Sequence, residues 1–138
     1  MPSFTAHATT VGGRNGHVET SDGLLKADLS VPKDLGGPGK PGTVNPEALF
    51  AAGYSACFGG AVDYAATLEK IKVGPVTVTA DVTLTAGASG FDLSVVLKTK
   101  VEGVDHATAE KLAHKAHTEI CPYSKATRGN IDVTIEIL

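Results

Sequence analysis

Between Asn45 and Glu69 the chain carries no basic residue and, past Glu47, almost only apolar or small side chains. A run of this kind has few folded solutions. Asn45 suits a helix cap, Pro46 the first helical position, and Glu47 the end where the helix dipole favours an anion. The segment therefore predicts a long helix that ends near Lys72, ahead of Gly74-Pro75. A helix that is apolar around most of its circumference is buried, and its alanines and glycines let neighbouring backbones come close. Cys57 is then expected inside the protein, where a lone cysteine is ordinarily an inert small hydrophobe.

With 138 residues and a formal charge of −3, the chain fits one soluble globular domain spanning 1–138, with room for one core. Asp63 and Glu69 interrupt the longest apolar segment, which argues against a membrane span. Met1-Pro2-Ser3-Phe4-Thr5 has neither the basic start nor the apolar centre of a signal peptide. A cytoplasmic location is the expectation. In that reducing compartment two cysteines seldom form a permanent staple, which leaves chance, metal or redox chemistry. No basic cluster interleaved with aromatics marks a nucleic-acid surface.

Phe4 to Val11 is threonine-rich and roughly alternating, which suggests a first strand. Gly12-Gly13-Arg14-Asn15-Gly16 turns the chain. His17 to Thr20 and Leu24 to Val31 follow as two further strands of a meander. Pro32 to Thr43 is too broken by proline and glycine for regular structure. Its Gly39-Lys40 is not a phosphate loop, because Asp34 stands where that motif needs glycine and Pro41 where it needs serine or threonine. After the long helix, Val76, Val78, Ala80, Val82 and Leu84 alternate with polar residues in a strand. Phe91 to Val101 is its hairpin partner. A second helix from about Asp105 to Glu119 buries Ala109, Leu112, Ala113, Ala116 and Ile120 and carries His106, His114 and His117 at its margins, and Asn130 to Ile137 closes the chain as a strand. This order indicates an α+β fold with helices packed on sheets.

The two runs around the cysteines, Asn45-Pro46-Glu47-Ala48-Leu49-Phe50-Ala51-Ala52-Gly53-Tyr54-Ser55-Ala56-Cys57-Phe58 and Cys121-Pro122-Tyr123-Ser124-Lys125-Ala126-Thr127-Arg128-Gly129-Asn130-Ile131, together resemble the organic hydroperoxide resistance proteins, the Ohr branch of the OsmC family. Gly12-Gly13-Arg14-Asn15-Gly16-His17 matches as well. The resemblance covers essentially the whole chain. It implies an OsmC-like fold with antiparallel sheets packed around a long buried central helix, in an intertwined homodimer. It also implies a thiol peroxidase of oxidative-stress defence that reduces organic, including fatty-acid, hydroperoxides to alcohols. In that reading Cys57 is the peroxidatic and Cys121 the resolving cysteine, with Arg14 and Glu47 as the activating pair. Members take electrons from lipoylated proteins and need no metal, haem or flavin, so the implied partners are a dihydrolipoyl-type dithiol and a second copy of the chain, with neither nucleic acid nor membrane.

A thiolate attacks peroxide oxygen to give an alcohol and a sulfenic acid, and a second thiol condenses with that acid to a disulfide, so two cysteines are the minimum. Burial alone raises a cysteine pKa, so Cys57 needs a cation. Its own helix dipole does not serve, because the effect fades within about one turn and Cys57 lies far past the cap. Arg14 and Arg128 are the only arginines. Arg14 stands in a glycine-flanked turn where a carboxylate such as Glu47 could orient its fork, whereas Arg128 could simply brace a turn. Phe50, Tyr54, Phe58 and Tyr123 would favour apolar hydroperoxides.

The residues alone leave alternatives open. Pro122 can start a short helical turn and place Cys121 at a helix N-terminus, where a thiolate is favoured. A zinc site drawing on Cys57, Cys121, His17, His114 and His117 lacks paired metal-ligand spacing. A cysteine hydrolase needs a histidine base and leaves one thiol idle. A lipid-binding module with incidental cysteines is the plainest rival.

Overall fold

A computed structural model describes all residues, Met1–Leu138. The chain divides into two compact units, residues 1–49 and 50–138.

In the first unit, β1 (Ala8–Val11), β2 (His17–Thr20) and β3 (Lys26–Asp28) form an antiparallel meander in that order. β2 has the expected bounds, while β1 and β3 are shorter than the sequence suggested. Leu29 pairs with Val44 in an isolated bridge, so the proline- and glycine-rich loop is tied back at its far end. Lys33–Leu35 adds a single 3₁₀ turn within that loop.

The expected long helix is α1 (Pro46–Leu68), whose first turn falls in the first unit. Asn45 caps it, its side-chain oxygen accepting the Ala48 N–H at 2.7 Å. Its end comes earlier than Lys72 because Lys70 takes a left-handed conformation (φ 56°), which places the Ile71 N–H on the Ala66 carbonyl at 2.9 Å. That bond is the C-terminal cap usually made by glycine. Ile71 then packs against the core.

Burial of α1 differs from the expectation. Tyr54, Phe58, Ala61, Val62, Ala65 and Ala66 are buried, while Ala52, Ala56, Gly60 and Tyr64 are exposed. One chain therefore covers one face of the helix, although the residues on both faces are apolar or small. The cause is size: the second unit's sheet can cover only the face turned toward it.

That sheet runs β4 (Val76–Gly87), β5 (Gly90–Val101) and β6 (Asp132–Ile137) in order. β4 and β5 form an antiparallel hairpin closed opposite Gly87 and Gly90. β6 pairs with β5 in parallel, Val133 opposite Val95 and Ile135 opposite Leu97. The sheet is thus mixed, where antiparallel pairing was expected. The physical reason is the connection: α2 (His106–Lys115) and α3 (Pro122–Thr127) carry the chain back before β6 begins, as a parallel pair requires. Asp105 caps α2 by accepting the Thr108 N–H at 2.8 Å.

The core joins the buried face of α1 to Val95, Leu97 and Val101 of β5 and to Ala109, Leu112 and Ala113 of α2. The predicted stripe of the second helix is correct through Ala116. Burial of Phe58 alone contributes on the order of 2 kcal/mol. Beyond Lys115 the helix widens into a π turn, Ala116–Ile120, which places Cys121 at the start of α3. No helix is long and apolar enough to cross a membrane.

Candidate active site

Two pairs of side chains stand out, one in each unit. In the first, Arg14 lies on a 3₁₀ turn, Gly13–Asn15, between glycines. Gly12 and Gly13 have φ of 85° and 57°, a region L side chains seldom adopt. At Gly16 an added Cβ would lie 1.7 Å from the Val11 carbonyl oxygen, so only glycine permits this tight return. The turn presents Arg14 to Glu47 in a bidentate ion pair, Nη2 to Oε1 at 2.8 Å and Nη1 to Oε2 at 3.0 Å. The hydrogen bonds from Arg14 hold the Glu47 carboxyl below its ordinary pKa, against the opposing effect of burial. The pair therefore persists at neutral pH and weakens only as pH falls through that lowered value.

In the second unit, Cys57 Sγ and Cys121 Sγ are 3.4 Å apart, and both thiols are free. Cys121 is buried, whereas Cys57 is half-buried rather than fully enclosed as expected from its helix. Cys121 is the N-cap of α3, as the Cys-Pro order suggested, and its sulfur accepts the Ser124 N–H at 3.4 Å. Pro122 lacks an N–H, so Tyr123 and Ser124 are the next donors of this turn. Burial pushes the Cys57 thiol above its ordinary pKa, the Tyr123 backbone N–H pulls it down, and the adjacent Cys121 pushes it up again. Both sulfurs thus meet the opening turn of α3. A helix end does reach Cys57, but it belongs to α3 and not to the helix that carries Cys57.

Beneath the sulfurs lies a hydrogen-bond network that the sequence did not reveal. The Tyr54 hydroxyl is 2.9 Å from both Ser124 Oγ and Thr127 Oγ1, and His117 Nδ1 is 2.7 Å from Ser124 Oγ. Tyr54 and Ser124 are fully buried. Arg128 donates to the His117 carbonyl, so it braces a turn, as its place in the sequence suggested. The available signal was spacing: Cys121, Ser124 and Thr127 recur every third residue and share one face of α3.

The rings of Phe50, Tyr54 and Tyr123 gather with centroids 5.8 to 6.3 Å apart. Gly53 makes room for Tyr123, since a Cβ there would lie 3.2 Å from that ring. Tyr123 is exposed and Phe50 half-buried, so these two can meet an apolar ligand. Phe58 is enclosed in the core and faces none. His17 is bound between Asp28 at 2.7 Å and Glu19 at 3.0 Å, and no cluster of three or more His, Cys, Asp or Glu is arranged to hold a metal.

Residues 37–136 match the model of the OsmC-like protein family. The organic hydroperoxide resistance protein of Xanthomonas axonopodis pv. citri (strain 306) is 50% identical over 97% of this chain and 94% of its own. Among solved structures, an organic hydroperoxide resistance protein OsmC from Legionella pneumophila superposes with a TM-score of 0.91 at 49% identity, covering 99% of this chain and 98% of that one. OhrB of Bacillus subtilis superposes with a TM-score of 0.88 at 44% identity, covering 98% of each.

Proposed function

The chain belongs to the OsmC-like protein family, among the organic hydroperoxide resistance proteins, and from that premise we propose that it is a cysteine-based peroxidase for organic hydroperoxides, fatty-acid hydroperoxides included. The observation that carries this reading is the free sulfur pair, Cys57 and Cys121 at 3.4 Å. In the proposed cycle the Cys57 thiolate attacks the terminal peroxide oxygen. The O–O bond breaks, the alkoxide takes a proton and leaves as alcohol, and Cys57 keeps one oxygen as a sulfenic acid. The Cys121 sulfur then attacks Cys57 Sγ, an S–S bond replaces the S–O bond, and water departs with the thiol proton. A dithiol such as a dihydrolipoyl group reduces the disulfide by two thiol exchanges and becomes a disulfide itself.

Within the second unit, what acts on the Cys57 thiol leaves it protonated at neutral pH, so the proposed cycle needs a cation. The Arg14 guanidinium, oriented by Glu47, is the group we assign to that role. Part of its contribution is ionisation: an unshifted thiol of pKa about 8.5 gains roughly thirtyfold at pH 7, and Cys57, raised above its ordinary value, gains more. The other part is positioning the peroxide and stabilising charge on its oxygens as the O–O bond breaks. Phe50 and Tyr123 supply the apolar surface that favours an organic over a hydrogen peroxide substrate.

One titration tests the reading. An equivalent of organic hydroperoxide should remove two thiols per chain without added metal, and a dithiol should restore both. Turnover with dihydrolipoamide should exceed turnover with glutathione by at least about tenfold at matched thiolate concentration, because a small flexible dithiol completes both exchanges in one encounter. Thiol loss without alcohol formation would leave the binding-module reading in its place. Equal turnover with the two donors would remove the lipoyl assignment.

A further inference from the structure

Only one arrangement of protons makes all four hydrogen bonds beneath the sulfur pair at once. Thr127 Oγ1 donates to the Ser124 carbonyl at 3.3 Å, which uses its only proton. The contact between Tyr54 and Thr127 must then be donated by Tyr54, and that uses the tyrosine proton. The contact between Tyr54 and Ser124 must therefore be donated by Ser124. With its own proton committed, Ser124 Oγ can only accept from His117, so the fourth bond requires a proton on His117 Nδ1. His117 Nε2 makes no bond within the chain, yet no buried side-chain nitrogen or oxygen is left without a partner, so Nε2 reaches solvent. The ring borders an open cleft of about 450 Å³ together with Arg128 and Asn130. Burial, Arg128 and His114 all disfavour the charged ring, and in the neutral ring this bond to Ser124 sets the one proton on Nδ1.

Ser124 is the joint between this network and the sulfurs. Its hydroxyl is held by His117 and Tyr54, and its backbone N–H holds Cys121 Sγ. From this geometry we infer that His117, donating from Nδ1 to Ser124, is a positioning residue for disulfide formation: it locks the first turn of α3 and so keeps Cys121 against Cys57. Tyr54 anchors the same joint to α1, the helix that carries Cys57, so the two sulfur-bearing elements are registered through one hydroxyl. The π turn has a place in this account. It sets the backbone of residues 116–120 so that His117 faces α3, and Arg128 holds the turn from the other end of α3.

The inference rests on the peroxidase reading, and its test separates the two. Wild type, His117→Ala, His117→Asn and Ser124→Ala are each mixed with one equivalent of organic hydroperoxide, and loss of the Cys57 thiol and appearance of the disulfide are followed separately. In His117→Ala and Ser124→Ala the first oxidation should keep its rate within about twofold, while disulfide formation slows at least about tenfold, the scale of a misplaced reacting group. Cys57 carrying two oxygens should accumulate in its place. Asparagine at 117 can place an amide N–H where Nδ1–H stands and should restore disulfide formation to within about threefold of wild type. The double variant His117→Ala, Ser124→Ala should be no slower than the slower single variant, because both remove the same link. A role in stability alone would lower the melting temperature without dividing the two rates. If His117→Ala does not fold, Ser124→Ala carries the same comparison. Unchanged disulfide formation in these variants overturns the positioning role while the peroxidase reading stands. Failure of wild type to form a disulfide between Cys57 and Cys121 overturns both.

Discussion

A Cys57→Ser protein is expected to lose its reaction with organic hydroperoxide, by on the order of a thousandfold or more in rate, as when a covalent nucleophile is removed. Cys121→Ser should instead complete one stoichiometric oxidation per chain and then stall or overoxidise. Exposure distinguishes the two thiols. Cys121 is 1% exposed and its sulfur is engaged by the Ser124 N–H, whereas Cys57 is only half-buried. A bulky hydroperoxide meets the more open sulfur first. Without the second thiol, the Cys57 sulfenic acid has no neighbour with which to condense, and further peroxide takes it to the sulfinic state. Mass measurement after one and after ten equivalents checks both arms, the wild type losing two hydrogens and the Cys121→Ser protein gaining oxygen. Survival of the fast first step in Cys57→Ser would exchange the two roles.

The second large effect concerns assembly. Glu47 and Cys57 lie on one continuous helix, α1, ten residues apart, which at about 1.5 Å per residue separates their backbones by roughly 15 Å along the axis. In our proposal the active site is shared by two chains, with Cys57 and Cys121 from one subunit and Arg14 and Glu47 from the other. The exposed face of α1 supports it. Ala52, Ala56, Gly60 and Tyr64 recur every four residues, and the first three are small enough for a second helix backbone to approach closely. Two copies of α1 packed antiparallel across a two-fold axis would set the start of one beside the middle of the other. Arg14→Ala and Cys57→Ser proteins, each inactive as homodimers, should when unfolded and refolded together give heterodimers with one intact site, recovering up to roughly half the wild-type activity per heterodimer. Absence of recovery in demonstrated heterodimers would place all four residues in a single chain.

Local rules carried much of this protein because they act over a turn or two of chain. Asn45-Pro46-Glu47 marked the start of α1, the alternation from Val76 to Leu84 marked β4, and Cys121-Pro122 marked the start of α3, each through a preference that three or four neighbouring residues settle among themselves. The three motifs at 12–17, 45–58 and 121–131 also pointed to the family to which the chain belongs. What lay beyond sequence was decided by contacts between residues far apart in the chain. The sulfur contact spans 64 residues and the bond between Tyr54 and Ser124 spans 70, and their formation depends on how α2 and the π turn return the chain to α1. His117 illustrates the difference. On a regular helix it is a marginal polar residue, but the π turn and α3 bring its Nδ1 to the buried Ser124 hydroxyl. The same holds for the parallel pairing of β6 and for the one-sided burial of α1. Composition makes a segment apolar on every side, but which side is covered depends on the area the packed sheet can reach, a property of the tertiary structure alone.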